Sequence, residues 1–97
     1  VTLYHGSDPL RRASILRDGL KPGVPDPGDG GYVRAPGVYL ATTVEEARYF
    51  GRDVWEVDAS GLDVRVDPDS YNENGEDDNY YAPAPVGPAR VRLAVAA

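Results

Sequence analysis

Between Lys21 and Pro36 the chain carries Pro22, Gly23, Pro25, Pro27, Gly28, Gly30, Gly31 and Pro36. Proline removes a backbone donor and fixes φ, while glycine adds backbone freedom, so this stretch reads as neither helix nor strand. It cuts a chain of 97 residues into a short leading unit and a longer trailing one, which must pack against each other across the loop. A loop of this length inside a small domain is usually functional or disordered. Besides Lys21, its large side chains are Tyr32 and Arg34, both able to reach a ligand. An ordered loop with no ligand contact is the alternative.

The leading unit reads as strand, then helix. Val1 to Tyr4 is apolar enough for a short strand. Asp8 suits an N-cap, and Pro9 suits the first helical position, where its missing N–H is not needed. Leu10, Ala13 and Leu16 recur at helical spacing with Ile15 beside them, leaving Arg11, Arg12 and Arg17 for solvent. Gly19 is the expected stop and Leu20 the residue that packs back, so the pattern predicts a helix from about Pro9 to Asp18.

After the loop, Gly37 to Ala41 reads as a strand. Thr43-Val44-Glu45-Glu46 forms a capping box that opens a second helix, with Val44, Ala47 and Phe50 on one face and Gly51 at its end. Val54 to Asp58 is a strand holding the single tryptophan. An Ala59-Ser60-Gly61 turn joins it to a half-buried strand in which Leu62, Val64 and Val66 alternate with Asp63 and Arg65. Asp67 to Asn79 is an acidic loop, Tyr80 to Ala82 a further strand, and Val91, Leu93 and Val95 one face of the last. The expected fold class is α+β in one domain spanning residues 1–97, with both helices in the first half.

Composition removes several function classes. The hydrophobic share of 41% suffices for one modest core. With no cysteine and one histidine, disulfides are excluded and transition-metal ligation lacks its usual donors. No apolar run approaches the roughly 20 residues of a membrane span, so a soluble protein, cytoplasmic by default and without membrane partners, is expected. The net charge of −6 argues against broad phosphate-backbone binding. Much of the acid lies between Asp67 and Asp78, however, so Arg11, Arg12 and Arg17 can still form a local basic patch. The acidic run lacks the ligand order of a calcium loop, and no metal is expected.

Leu3-Tyr4-His5-Gly6-Ser7 places the one histidine at a strand exit. A neutral imidazole near its ordinary pKa of about 6.5 can offer a ligand a hydrogen-bond donor. Gly6 permits close approach, and the Ser7 hydroxyl donates or accepts. Gly37-Val38-Tyr39-Leu40 puts Tyr39 beside another glycine, where its ring can stack on a flat heteroaromatic group. A structural histidine and an ordinary half-buried tyrosine are the bland alternatives.

Together these segments resemble the ADP-ribosyltransferase superfamily, in its His-Tyr branch of diphtheria-toxin and poly(ADP-ribose) polymerase type. The matching residues are Leu3-Tyr4-His5-Gly6-Ser7, Gly37-Val38-Tyr39-Leu40-Ala41 and Glu46-Ala47-Arg48-Tyr49-Phe50-Gly51, with Ile15-Leu16-Arg17-Asp18-Gly19-Leu20 similar to the family's helix end. The resemblance implies a small split antiparallel β-sheet that clamps NAD⁺ as co-substrate. It implies that His5 and Ser7 hold ribose hydroxyls, that the Gly6 backbone holds the nicotinamide amide, and that Tyr39 stacks on the nicotinamide ring. Tyr49 would form a second wall, and Gly37, Leu40, Tyr32 and Arg34 would complete the contacts with NAD⁺. Transfer of ADP-ribose to an acceptor (protein, nucleic acid or small molecule) with release of nicotinamide is the implied activity.

The family's third position is usually a glutamate. Aligning Pro85-Val86-Gly87-Pro88 with the family's turn places it at Asn79, which would complete a catalytic set of His5, Tyr39 and Asn79. A register similar to that of rifamycin-modifying members gives the role to Asp67 or Asp69. A catalytically silent module binding NAD⁺ or ADP-ribose, or an interaction module, is the alternative function. The related RNA 2′-phosphotransferases fit less well, because they carry His where this chain has Tyr39.

Overall fold

A computed structural model describes residues 1–23, 37–66 and 79–97. Its strands are β1 (Thr2–Ser7), β2 (Val38–Ala41), β3 (Asp53–Asp58), β4 (Arg65–Val66), β5 (Asn79–Ala82) and β6 (Val91–Val95). The helices are α1 (Arg12–Asp18) and α2 (Val44–Arg48), with single 3₁₀ turns at Pro9–Arg11 and Pro88–Arg90. All six strands join one antiparallel sheet in the order β4-β5-β2-β1-β3-β6. The α+β class and the order of elements are as the sequence pattern predicts.

Successive residues of a strand point to opposite faces, and β1 and β3 use both. Leu3, Trp55 and Val57 join Val38, Leu40, Ile15, Leu20 and Val86 in the larger core, on the face that α1 covers. Val54 and Ala41 turn the other way and meet Ala47 of α2, with Tyr4, Val44 and Val95 around them. Thr43 caps α2 as expected, its hydroxyl accepting from the Glu46 N–H at 3.2 Å.

The first helix differs from its expected phase. Asp8 does cap it, accepting from the Leu10 N–H at 2.9 Å, but Pro9–Arg11 forms a 3₁₀ turn before the α-helix begins. A 3₁₀ turn advances three residues per turn rather than 3.6, which rotates the face that follows. Leu10 and Leu16 are therefore 91% and 60% exposed, and Ala13 is exposed as well. The inward stripe is instead Arg12, Ile15 and Gly19. Arg12 is not a solvent-facing residue of a basic patch: its guanidinium reaches the buried Asp53 carboxylate at 2.7 and 2.9 Å. Gly19 ends the helix with φ 77°, and Leu20 docks against Val86 through two backbone hydrogen bonds of 2.8 and 2.9 Å.

A second correction concerns β4. The turn after β3 forms as expected, with Asp58 accepting from the Ser60 N–H at 3.0 Å. The chain then leaves β3, because both edges of β3 are taken by β1 and β6. Leu62 and Val64 cross over the core half-buried, and the two-residue strand pairs with β5 at the far edge. Val66 is 44% exposed there, not turned into the core.

Candidate functional site

β1 has one continuous seam and one that opens. Against β3 it keeps six register pairs, from Thr2↔Asp58 to Ser7↔Asp53. Against β2 it keeps one, Tyr4↔Ala41. Beyond that row Leu40 and Tyr39 pair with β5, and the contact given back to β1 is a side-chain latch between His5 Nδ1 and the Tyr39 carbonyl oxygen, 2.7 Å apart. The His5 and Tyr39 of the two sequence segments thus meet where the sheet parts.

A cavity of about 400 Å³ lies beside this opening, bounded by His5, Ser7, Gly37 and Tyr39 on the sheet side. Its volume is within the range typical of small-molecule sites. The opposite wall comes from the first helical segment and its exit: Arg11, Ser14, Arg17, Asp18 and Lys21. Three cations against one carboxylate make this wall electropositive in a chain that is acidic as a whole. Asp18 is held by Arg17 at 2.9 Å, which keeps its carboxyl below the usual range and anionic.

The latch fixes the chemistry of His5. A carbonyl oxygen can only accept, so Nδ1 carries the proton and donates to Tyr39. Burial pushes the imidazole pKa below 6.5, more than the bond to Tyr39 raises it, and Arg11 lowers it further. At neutral pH the ring is uncharged, and Nε2 is a lone-pair acceptor. The donor expected of His5 is thus spent on the Tyr39 carbonyl, and a ligand hydroxyl would instead donate to Nε2.

Ser7 is buried at the cavity edge, and its oxygen accepts from the Trp55 indole N–H at 2.9 Å. Tyr39 rests against Tyr81, its register partner on β5, with ring centroids 6.1 Å apart at 37°. Gly37 explains how that ring fits, since a Cβ at Gly37 would stand 2.9 Å from Tyr81 Cδ2.

Other expected contacts lie elsewhere. Gly6 is buried with its Cα against the Ala47 carbonyl, where a Cβ would collide, and the neighbouring Gly51 fits as tightly against the Ser7 backbone. The structural need for glycine here comes from the packing of α2, and Gly6 is not among the cavity-lining residues. Leu40, expected at the ligand, is instead a core side chain, 1% exposed, because strand alternation turns it inward. Tyr49 is 84% exposed in the turn after α2 and does not line the cavity. Asn79 opens β5 opposite Ala41, also outside the lining. Tyr32, Arg34, Asp67 and Asp69 lie outside the described residues.

Trp55 and Tyr81 escaped the sequence reading because they act across strand registers that no local pattern encodes. The Arg11 and Arg17 wall did leave a signal, as basic residues clustered just after His-Gly-Ser. Among the described residues no group of three or more His, Cys, Asp and Glu side chains could hold a metal ion. No described helix is long and apolar enough to cross a membrane. In comparisons with protein-family models, curated proteins and solved structures, nothing matches this chain.

Proposed function

We propose that this domain binds NAD⁺ in the cavity beside the β1–β2 opening and transfers its ADP-ribose to an acceptor, releasing nicotinamide. The observation that carries the reading is the His5–Tyr39 latch at the parting of two strands, with both residues lining one cavity. A sheet whose β1–β2 seam opens in this way is compatible with the split sheet that the resemblance to ADP-ribosyltransferases implies.

The donor set suits a pyridine dinucleotide. Neutral His5 accepts a ribose hydroxyl, and Ser7 supplies a second polar contact. Tyr39, backed by Tyr81, offers an aromatic surface for the nicotinamide ring. Arg11, Arg17 and Lys21 provide charge for the two phosphates, where guanidinium groups can bind bidentately. In the reaction the bond between ribose C1′ and the nicotinamide nitrogen breaks, and its electron pair leaves with nicotinamide. The acceptor's lone pair then forms the new bond to C1′, and the acceptor gives up its proton. Nicotinamide departs neutral and needs no general acid, so the protein's part is to hold and polarise the ribose.

One observation favours a second reading, a module that binds NAD⁺ without turning it over. The carboxylate lining the cavity among the described residues, Asp18, is committed to Arg17, and Asn79 can hydrogen-bond a ribose hydroxyl but cannot act as a base. Incubation with adenylate-labelled NAD⁺ and a cell lysate separates the readings. Transfer predicts labelled product together with free nicotinamide. Calorimetric binding of NAD⁺ with nicotinamide release at background supports the silent module, and no binding at all overturns both.

A further inference from the structure

Trp55 is the one tryptophan in the chain, fully buried, and it stands directly opposite His5 in the β1–β3 register. From there its indole N–H reaches diagonally to the Ser7 oxygen at 2.9 Å. It is therefore bonded to Ser7 and is the cross-strand neighbour of His5, the two polar residues of β1 that line the cavity. Indole nitrogen can only donate, whereas a hydroxyl has one proton and two lone pairs. Once a Ser7 lone pair is taken by Trp55, the proton of Ser7 is the group turned toward an acceptor outside the pair.

We infer that Trp55 is a positioning residue for ligand recognition, fixing the Ser7 hydroxyl as a hydrogen-bond donor toward the cavity. With His5 Nε2 set as an acceptor by the Tyr39 carbonyl, β1 presents an acceptor and a donor from residues two apart on one face of the strand. The ligand group that matches this pair is a vicinal diol, one hydroxyl donating to His5 and the other accepting from Ser7. The inference rests on the reading of the cavity as an NAD⁺ site, takes the ribose contacts of His5 and Ser7 from that reading, and adds the residue that orients one of them. It also predicts a coupling: when Ser7 donates to the ligand its oxygen becomes a better acceptor, and the bond from Trp55 strengthens.

As the only tryptophan, Trp55 gives a single indole N–H resonance, so the test begins with the unaltered protein. NAD⁺ is titrated by calorimetry and by proton–nitrogen NMR on the same sample. The expected result is saturable binding with a downfield shift of the indole N–H that tracks occupancy, and loss of that shift in Ser7→Ala. NAD⁺ binding that leaves the indole resonance unmoved overturns the inference while the NAD⁺ reading stands. No NAD⁺ binding to the unaltered protein overturns both.

Trp55→Phe removes the N–H but keeps an aromatic ring in the core. It is expected to weaken NAD⁺ binding about fivefold to tenfold. Combined with Ser7→Ala it should add nothing beyond the Ser7→Ala loss, because Trp55 acts through Ser7. Losses that multiply in the double variant would make Trp55 merely structural and contradict the inference. If Trp55→Phe fails to melt cooperatively, the indole shift in the unaltered protein decides.

Discussion

Along β1, the seam with β3 keeps register from Thr2 to Ser7, whereas the seam with β2 holds at Tyr4↔Ala41 and then opens. The two sides of the strand's exit differ in the same way. Gly6 faces α2 so closely that a single carbon would not fit, while His5 and Ser7 face a cavity of about 400 Å³. Alternation along one strand thus separates two tasks. The residue turned to α2 is sealed by packing, and the residues on either side of it line the cavity. The closed side holds the open side in place, since Ser7 pairs with Asp53, and Asp53 anchors the helical segment that forms the opposite wall of the cavity.

The comparison predicts that substitutions on the closed side act on stability and those on the open side act on binding. Gly6→Ala should have the largest effect, because the new carbon meets backbone of α2 and not a side chain that can swing away. A cost on the order of 3 kcal/mol is expected, read as a fall in melting temperature on the order of 15 °C. A melting temperature within a few degrees of the parent would break the distinction between the two sides.

Asp53→Ala comes next. Asp53 accepts from Arg12 and from the Ala97 N–H at 2.8 Å, and its removal leaves those donors facing a carbon. A fall in melting temperature on the order of 10 °C is expected. The same carboxylate gives the pH dependence its sign. Arg12, as the main cause, pulls the Asp53 pKa from 3.8 down to about 2. A group with a depressed folded pKa stabilises fully above its unfolded value, and that stability is lost as pH falls toward the folded one. The Asp53 share of thermal stability should therefore disappear between about pH 4 and pH 2, and Asp53→Ala should flatten that part of the profile. An unchanged acid limb would show that the pair does not anchor the first helical segment.

Arg17→Ala should affect folding least. Its pair with Asp18 is largely exposed, and such pairs contribute about 0–1 kcal/mol. A change of melting temperature below about 4 °C is expected. NAD⁺ affinity should nevertheless fall several-fold, and more steeply at low ionic strength, where charge contacts are least screened. Equal affinity for NAD⁺ in parent and variant would remove the electropositive wall from the site.

Much of this organisation was legible in the residues. Strand alternation, the Asp8 and Thr43 caps and the Gly19 stop follow local rules that sequence carries, whereas the pairing of His5 with Tyr39, 34 residues apart, is suggested by the resemblance and by no local rule. The features that escaped depend on long-range geometry. Arg12 read as a surface cation because its partner Asp53 lies 41 residues away. Ser7 read as an unconstrained hydroxyl because Trp55 lies 48 residues on. The phase of α1 was missed for a different reason: Asp8-Pro9 signals where a helix starts but not that its first turn is 3₁₀. Tyr49 fitted a motif by spacing, yet the position of its side chain depends on how the turn after α2 packs.

The pairing of His5 with Tyr39 at the opened seam is the central claim, and NAD⁺ calorimetry on the parent and His5→Ala tests it most directly. The account predicts that the parent binds and that His5→Ala loses roughly tenfold or more in affinity. The variant should still melt cooperatively within several degrees of the parent. Equal binding by the two proteins, or no binding by the parent, would contradict it.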